Sequence, residues 1–283
     1  MRVNRSWSMG RWERVTLGIL GLLGAIAAIM AVAGYREATR VPVVVRYDVA
    51  TAPPGFKPIT IALLTDTHMG GAIMSLGAVE LRALTERIRE LQPDLIVLGG
   101  DYSGTERGYD AAIQQMATLA APLGVVAVLG NHDYEDGREA KAMAATLRRA
   151  NIVPLVNDHV DVGPVVVAGL DDLWNGSSDI AEAGRALTDA RGRPVVLVSH
   201  NPDVFPQVPA GVALTLAGHT HGAQAVFPVI GTVATSSRFG QRYRRGEIVE
   251  KGRTMIVSSG AGGLAFRWNV PPEIALVTLR PRS

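Results

Sequence analysis

Residues 212–222 read Val-Ala-Leu-Thr-Leu-Ala-Gly-His-Thr-His-Gly. A short apolar run of strand length ends in a glycine and two imidazoles one residue apart. The same construction occurs four times upstream. Ile59–Leu64 leads into Thr65-Asp66-Thr67-His68, and Leu95–Leu98 into Gly99-Gly100-Asp101. Val125–Leu129 leads into Gly130-Asn131-His132-Asp133, and Val195–Val198 into Ser199-His200-Asn201. Strand-like runs that alternate with helical stretches predict an α/β layered domain. In α/β folds ligands bind beyond the carboxyl ends of strands, so five such turns are expected to meet at one crevice. Glycine lets the chain turn sharply beside such a site. An extended backbone would point Asp66 and His68, or His219 and His221, the same way.

Further strands are expected at Val41–Val49, Val165–Ala168, Val212–Leu216, Met255–Val257 and Ile274–Leu279. The apolar stripe Leu76, Val79, Ala83, Leu84, Ile88, Leu91 has helical spacing, with Ser75 as its N-cap and Pro93 just past its end. Helices are also expected over Asp110–Ala121, Arg138–Ala150 and Ile180–Ala190.

Each cluster taken singly has an ordinary reading. An Asp after a strand commonly caps a turn, and Gly-Asn favours turns without any ligand. The conjunction argues for metal: of six histidines only His159 lies outside the strand-end clusters. Cysteine is absent, which removes thiolate sites and disulfides from consideration. Imidazole, carboxylate and amide donors suit Mn, Fe, Zn or Ni.

At the N-terminus, Val15 to Ala33 is nineteen residues without a charge, enough as a helix to span a bilayer core of about 30 Å. Arg2, Arg5, Arg11 and Arg14 precede it, and Trp7 and Trp12 suit the interface. Residues 1–14 therefore read as a cytoplasmic segment and 15–35 as a membrane anchor. Residues 36–57 read as a first strand and linker, and 58–283 as a catalytic domain on the extracytoplasmic side. Ala31-Val32-Ala33 also fits a signal-peptide cleavage site, the alternative to a retained anchor. The formal charge of +2 and pI near 9.1 favour phosphate-bearing partners or an anionic membrane surface.

D-x-H, GD, GNH(D/E), H and GHxH, in this order, resemble the calcineurin-like metallophosphoesterase superfamily, and the resemblance covers the chain after the anchor. It implies a four-layer sandwich, two packed mixed β-sheets flanked by helices, with a two-metal centre at the strand ends. Carried over, Asp66, His68 and His221 would hold one ion, Asn131, His200 and His219 the other, and Asp101 would bridge them. His132 would lie at the substrate phosphate, with Asp133 orienting it, and a hydroxide shared by the ions would attack phosphorus. His132 would then protonate the leaving group or stabilise the transition state, a supporting hydrogen bond beside the ligands being the alternative.

Gly-His-Thr-His-Gly-Ala-Gln, then residues 238–243, 252–254 and 266–274, look like the bacterial membrane-associated phosphodiesterase branch, where some relatives act on UDP-diacylglucosamine. The resemblance implies a single-pass protein of the bacterial inner membrane and a lipid- or nucleotide-linked phosphate substrate. Ala223 stands where many relatives carry glycine, a change expected to be tolerated. Among Arg238, Arg242, Arg244, Arg245, Lys251 and Arg253, and in the aromatic loop around Arg267, Arg242 and Arg267 are the candidate substrate contacts; a solvated basic hairpin is the alternative. Phe266, Trp268 and Trp174 would cover an acyl chain or simply pack. Asp171-Asp172 would support the site or cap a turn. No nucleic-acid partner is expected, since there is an anchor and no long basic insertion. A nuclease of the same superfamily and a non-catalytic scaffold are the competing functions.

Overall fold

The computed structural model describes residues 10–70, 76–232 and 234–282. Arg2, Arg5, Trp7 and the expected cap Ser75 lie outside them. In chain order the strands are β1 (Val43–Ala52), β2 (Ile59–Leu64), β3 (Leu95–Leu98), β4 (Val125–Ala127), β5 (Val153–Pro154), β6 (Asp158–Asp161) and β7 (Val166–Gly169). They continue with β8 (Val195–Val198), β9 (Leu214–Ala217), β10 (Val226–Phe227), β11 (Gly231–Thr232), β12 (Gly246–Glu250), β13 (Arg253–Val257) and β14 (Glu273–Pro281). The helices are α1 (Arg11–Ala38), α2 (Ala78–Leu91), α3 (Glu106–Met116), α4 (Ala140–Arg149) and α5 (Ala181–Ala190).

Two six-stranded sheets form, in the orders β1-β14-β2-β3-β4-β5 and β12-β13-β9-β8-β7-β6. Both are mixed: β2, β3, β4 and β5 run parallel, as do β7, β8, β9 and β13, with antiparallel partners at β14, β6 and β12. The period-two alternation of a strand explains the layers. Ile59, Ile61 and Leu63 face inward to a core shared with Val167, Val196, Leu214 and Ile256 of the other sheet. Ala62 and Leu64 face outward to Leu81, Leu84 and Ile88 of α2 and Ile113 of α3. On the opposite side, Ala183 and Ala186 of α5 cover Val166, Ala168, Val195 and Leu197. Each fully buried aliphatic side chain contributes roughly 1.5–3 kcal/mol. Strands with both faces covered read as continuous apolar runs, which is why β2, β3 and β8 begin and end where the sequence placed them.

The differences have local causes. α2 starts at Ala78, after Gly77, whose N–H donates to Glu80 (3.0 Å). α3 starts earlier than expected, at Glu106, because the Thr105 hydroxyl caps it by accepting from the Gly108 N–H (3.1 Å). It ends at Met116, short of the expected Ala121. Residues 36–57 include β1, which pairs in parallel with β14 from Val43 to Ala52 and so forms the outer strand of the first sheet.

His159, on β6, is held by α5. Its Nδ1 pairs with Glu182 and its Nε2 with Asp189 (3.0 Å). The hydrogen bond to Glu182 outweighs the opposing effect of burial and raises the imidazole pKa. A raised folded-state value means the contribution is full below about 6.5 and is lost as pH climbs through the folded value. Unfolding of wild type and His159→Gln should therefore differ by roughly 1 kcal/mol at pH 6 and converge in alkaline buffer, as urea midpoints would show.

Candidate metal centre

The five turns converge where the carboxyl ends of β2, β3 and β4 meet those of β8 and β9. Backbone hydrogen bonds tie them together: Asp66 N–H to Gly100 O (3.0 Å), His68 N–H to Asp101 O (3.0 Å), and Gly218 N–H to His200 O (2.9 Å). The backbone at the paired motifs is not extended, contrary to the expectation from spacing. Asp66, His68, Asp101, His219 and His221 have φ of 55°, 42°, 55°, 69° and 50°. A left-handed backbone costs a non-glycine residue roughly 1–2 kcal/mol, and such strain concentrates where the surrounding structure holds a site in place. Tight left-handed turns, rather than strand alternation, aim these side chains inward.

Glycine is required beside them. A Cβ on Gly130 would lie 2.2 Å from Asp101 Oδ1, and one on Gly218 would lie 2.4 Å from Asp66 Oδ2. Ala223 sits at φ 68° with no such latitude. Its methyl group is accommodated, yet the conformation suits glycine. Ala223→Gly should raise stability by about 1 kcal/mol, read as a melting temperature higher by about 2–4 °C.

Two donor sets share no residue, Asp66–His68–His221 and Asp101–His200–His219, and a third, His68–Asp101–His132, overlaps both; each has its ligand atoms within 4.8 Å of one another. Asp101 joins them: its Oδ2 is 3.4 Å from His68 Nε2 and 3.2 Å from His200 Nε2. His68 Nε2 lies 3.1 Å from His221 Nε2, and His219 Nδ1 lies 3.3 Å from His200 Nε2. Burial lowers the pKa of His68 and His221, and that of His219 to about 3, so these rings are neutral and offer lone pairs. Burial acts the same way on His200, but the Asp101 carboxylate prevails and raises it to about 10. The Asp101 carboxyl, despite burial, is held well below its ordinary range by His200 and His68. The amide oxygen of Asn131 is buried with no hydrogen-bond partner. Lone pairs of neutral imidazoles facing one another, an orphaned amide oxygen and two buried carboxylates fit divalent cations. Six of the seven residues carried over as ligands, Asp66, His68, Asp101, His200, His219 and His221, fall in these donor sets, and Asn131 follows Gly130, which abuts Asp101.

Asp133 does not orient His132. Its carboxylate accepts from the backbone N–H groups of Gly130 (2.8 Å), Asp101 (2.9 Å) and Tyr102 (2.9 Å), tying the GD turn to the GNH turn. Burial and the neighbouring Asp101 charge push its carboxyl up to about 7, against those donors. The partner of His132 is Glu135, whose Oε1 is 2.6 Å from Nδ1. Sequence reasoning missed Glu135. The available signal was its i+3 spacing from His132 in a helical turn.

The two candidate substrate arginines are placed elsewhere. Arg267 is fully buried, and its guanidinium donates to the carbonyls of Ser259 (2.9 Å), Gly262 (2.6 Å) and Val270 (3.3 Å). Its role is corrected to a clamp on the loop behind the site. Arg242 is exposed and pairs with Glu250 (2.5 Å). Arg253 is buried as well, donating to the carbonyls of Phe205, Pro206 and Val208. The open space is a cleft of about 430 Å³ lined by His68, His132, His221, Gln224, Thr235 and Leu264. Trp174 stands edge-on to His219, ring centroids 4.3 Å apart. Asp172 caps its turn by accepting from the N–H of Trp174 and of Asn175 (both 2.7 Å).

The sequence profile of the calcineurin-like phosphoesterase family matches residues 59–223. The metallophosphoesterase YkuE of Bacillus subtilis, itself uncharacterized, is 30% identical over 81% of this chain and 81% of its own length. The phosphodiesterase YaeI of Escherichia coli is 29% identical over 83% of this chain and 87% of its own. A bovine transmembrane protein with a metallophosphoesterase domain is 27% identical over 70% of this chain, which spans about half (48%) of that protein. With a divalent-cation donor set at the strand ends of this fold, the chain belongs to the calcineurin-like phosphoesterase family and is a metal-dependent phosphoester hydrolase.

Proposed function

We propose that this hydrolase is a dinuclear phosphodiesterase or pyrophosphatase, anchored in a bacterial inner membrane by α1 and acting outside the cytoplasm on a lipid or nucleotide-lipid phosphate. The observation that carries the two-ion reading is Asp101, one buried carboxylate within 3.4 Å of imidazoles from both donor sets. Asp66, His68 and His221 would hold one ion, Asn131, His200 and His219 the other, with Asp101 shared; the donor types admit Mn, Zn, Fe or Ni. Bound divalent ions supply Lewis-acid charge that polarises the phosphoryl oxygens and activates water for attack.

The residues around them do the rest. His132 lines the cleft beside His68, ring centroids 4.8 Å apart. With Nδ1 engaged by Glu135, its Nε2 is free to deliver a proton to the leaving oxygen. His132→Ala should lower kcat by about 10²–10⁴-fold on an alkyl phosphodiester. It should lower kcat far less on bis-p-nitrophenyl phosphate, whose leaving group needs no proton. Glu135→Ala should cost about tenfold. Equal losses on both substrates would remove His132 from the acid role.

The membrane reading is supported by α1, 28 residues whose apolar window has mean hydropathy 2.5 and is not buried against the protein. Arg11 and Arg14 on its first turns favour a cytoplasmic N-terminus. Metal content by elemental analysis, together with hydrolysis of bis-p-nitrophenyl phosphate and of lipid pyrophosphates under added Mn, Zn, Fe or Ni, tests the proposal. A protein that binds less than two ions and stays inert with all four would overturn it.

A further inference from the structure

The end of α1, a loop of the active site and a small hairpin form one packed unit. Gly34, the first residue after the apolar run, is buried under the Phe266 ring; a Cβ there would lie 2.2 Å from it. The Gly34 carbonyl also accepts from the Arg267 N–H (2.9 Å). On the other side of the same loop, Trp268 carries the β10–β11 hairpin. Val226 N–H donates to Trp268 O (2.9 Å), Asn269 Nδ2 donates to Val226 O (2.9 Å), and the Phe227 ring stacks on Trp268 at 5.9 Å. The hairpin is therefore tied to the point where the helix leaves the protein.

Its tip has no folding rationale in water. Val229 is fully exposed and Ile230 is 75% exposed, and they are the turn residues of Pro228-Val229-Ile230. Val229 has φ 74°, a conformation that a β-branched side chain disfavours and that hairpin turns ordinarily give to Gly or Asn. The chain thus keeps a strained, branched aliphatic residue at the most exposed position of the hairpin. Burial in hydrocarbon would stabilise both exposed aliphatic side chains, which water does not. Leu264, 46% exposed in the loop shared with Phe266, lines the cleft.

We infer that the Pro228-Val229-Ile230 tip inserts into the outer face of the bilayer that holds α1, so that the cleft opens at headgroup level. This rests on the anchor reading above and adds a second, reversible contact to it. The partner is the lipid interface itself.

The absence of native cysteine makes the test direct. Full-length protein bearing a nitroxide at Ile230→Cys is reconstituted into phosphatidylethanolamine–phosphatidylglycerol vesicles. Collisions with oxygen and with a water-soluble nickel chelate are then compared. Leu22→Cys in α1 is the buried reference, and exposed Val153→Cys on β5, at the sheet edge opposite β1, is the aqueous one. The expected result is several-fold protection of Ile230 from nickel relative to Val153, with oxygen collisions raised toward those of Leu22. If Leu22 is protected while Ile230 meets nickel as freely as Val153, the tip stays in water and only this inference falls. If Leu22 itself is open to nickel, the anchor reading fails and the inference fails with it.

Discussion

Replacing Asp101 by Asn is expected to lower phosphodiester hydrolysis about a thousandfold while the protein remains folded. The substitution keeps the shape of the side chain and removes the one carboxylate that faces imidazoles of both donor sets. An amide serves one cation weakly and cannot offset the charge of two, so the second ion is the one expected to be lost. A transition-state stabilisation of about 4 kcal/mol forgone corresponds to that factor. The check is parallel: kcat/KM with bis-p-nitrophenyl phosphate, and metal stoichiometry on the same preparation. Wild-type stoichiometry with wild-type rate would show that Asp101 does not bridge.

Asp133→Ala is expected to act on the fold instead. Its carboxylate satisfies three buried N–H groups, those of Gly130, Asp101 and Tyr102, and no other acceptor stands in its place. Each orphaned buried donor costs about 1–3 kcal/mol, so the loss of all three partners should cost roughly 3–9 kcal/mol. That is a large part of the 5–15 kcal/mol typical of a whole domain. Urea unfolding monitors the loss, and Asp133→Asn, which retains one acceptor, should recover part of it. An orienting role for His132 predicts the reverse: near-normal stability with a collapsed kcat. The two accounts are separated by a single denaturation curve.

Much of the molecule was legible because burial on both faces writes continuous apolar runs. β2, β3 and β8 needed no tertiary information, and the turns that carry the candidate metal donors were marked by chemistry that packing seldom requires. The short elements were not legible. β5, β10 and β11 are two-residue pairings whose existence depends on a neighbouring strand rather than on their own pattern. The roles of Asp133 and Arg267 were misjudged for a related reason. A charged side chain looks alike in sequence whether it faces a substrate or satisfies buried backbone, and Arg267 does the latter at four or more carbonyls. Trp174 came to face His219 only when distant turns were brought together, whereas Glu135 stands three residues from His132 and its pairing was readable from that spacing.

The amino-acid order alone determined the α/β architecture, the apolar span at the N-terminus and the donor groups available for cations, since these follow from periodicity, length and side-chain chemistry. Tertiary structure decided how the donors meet: five left-handed backbone positions turn them inward, Asp101 falls between the two sets, and the N–H groups of Asp101 and Tyr102 take the Asp133 carboxylate. The reason is that local sequence specifies what each residue can do, whereas contacts across scores of residues specify which partner it has. The tip at Val229 is the same lesson at the surface, its meaning set by the helix end to which the loop is joined.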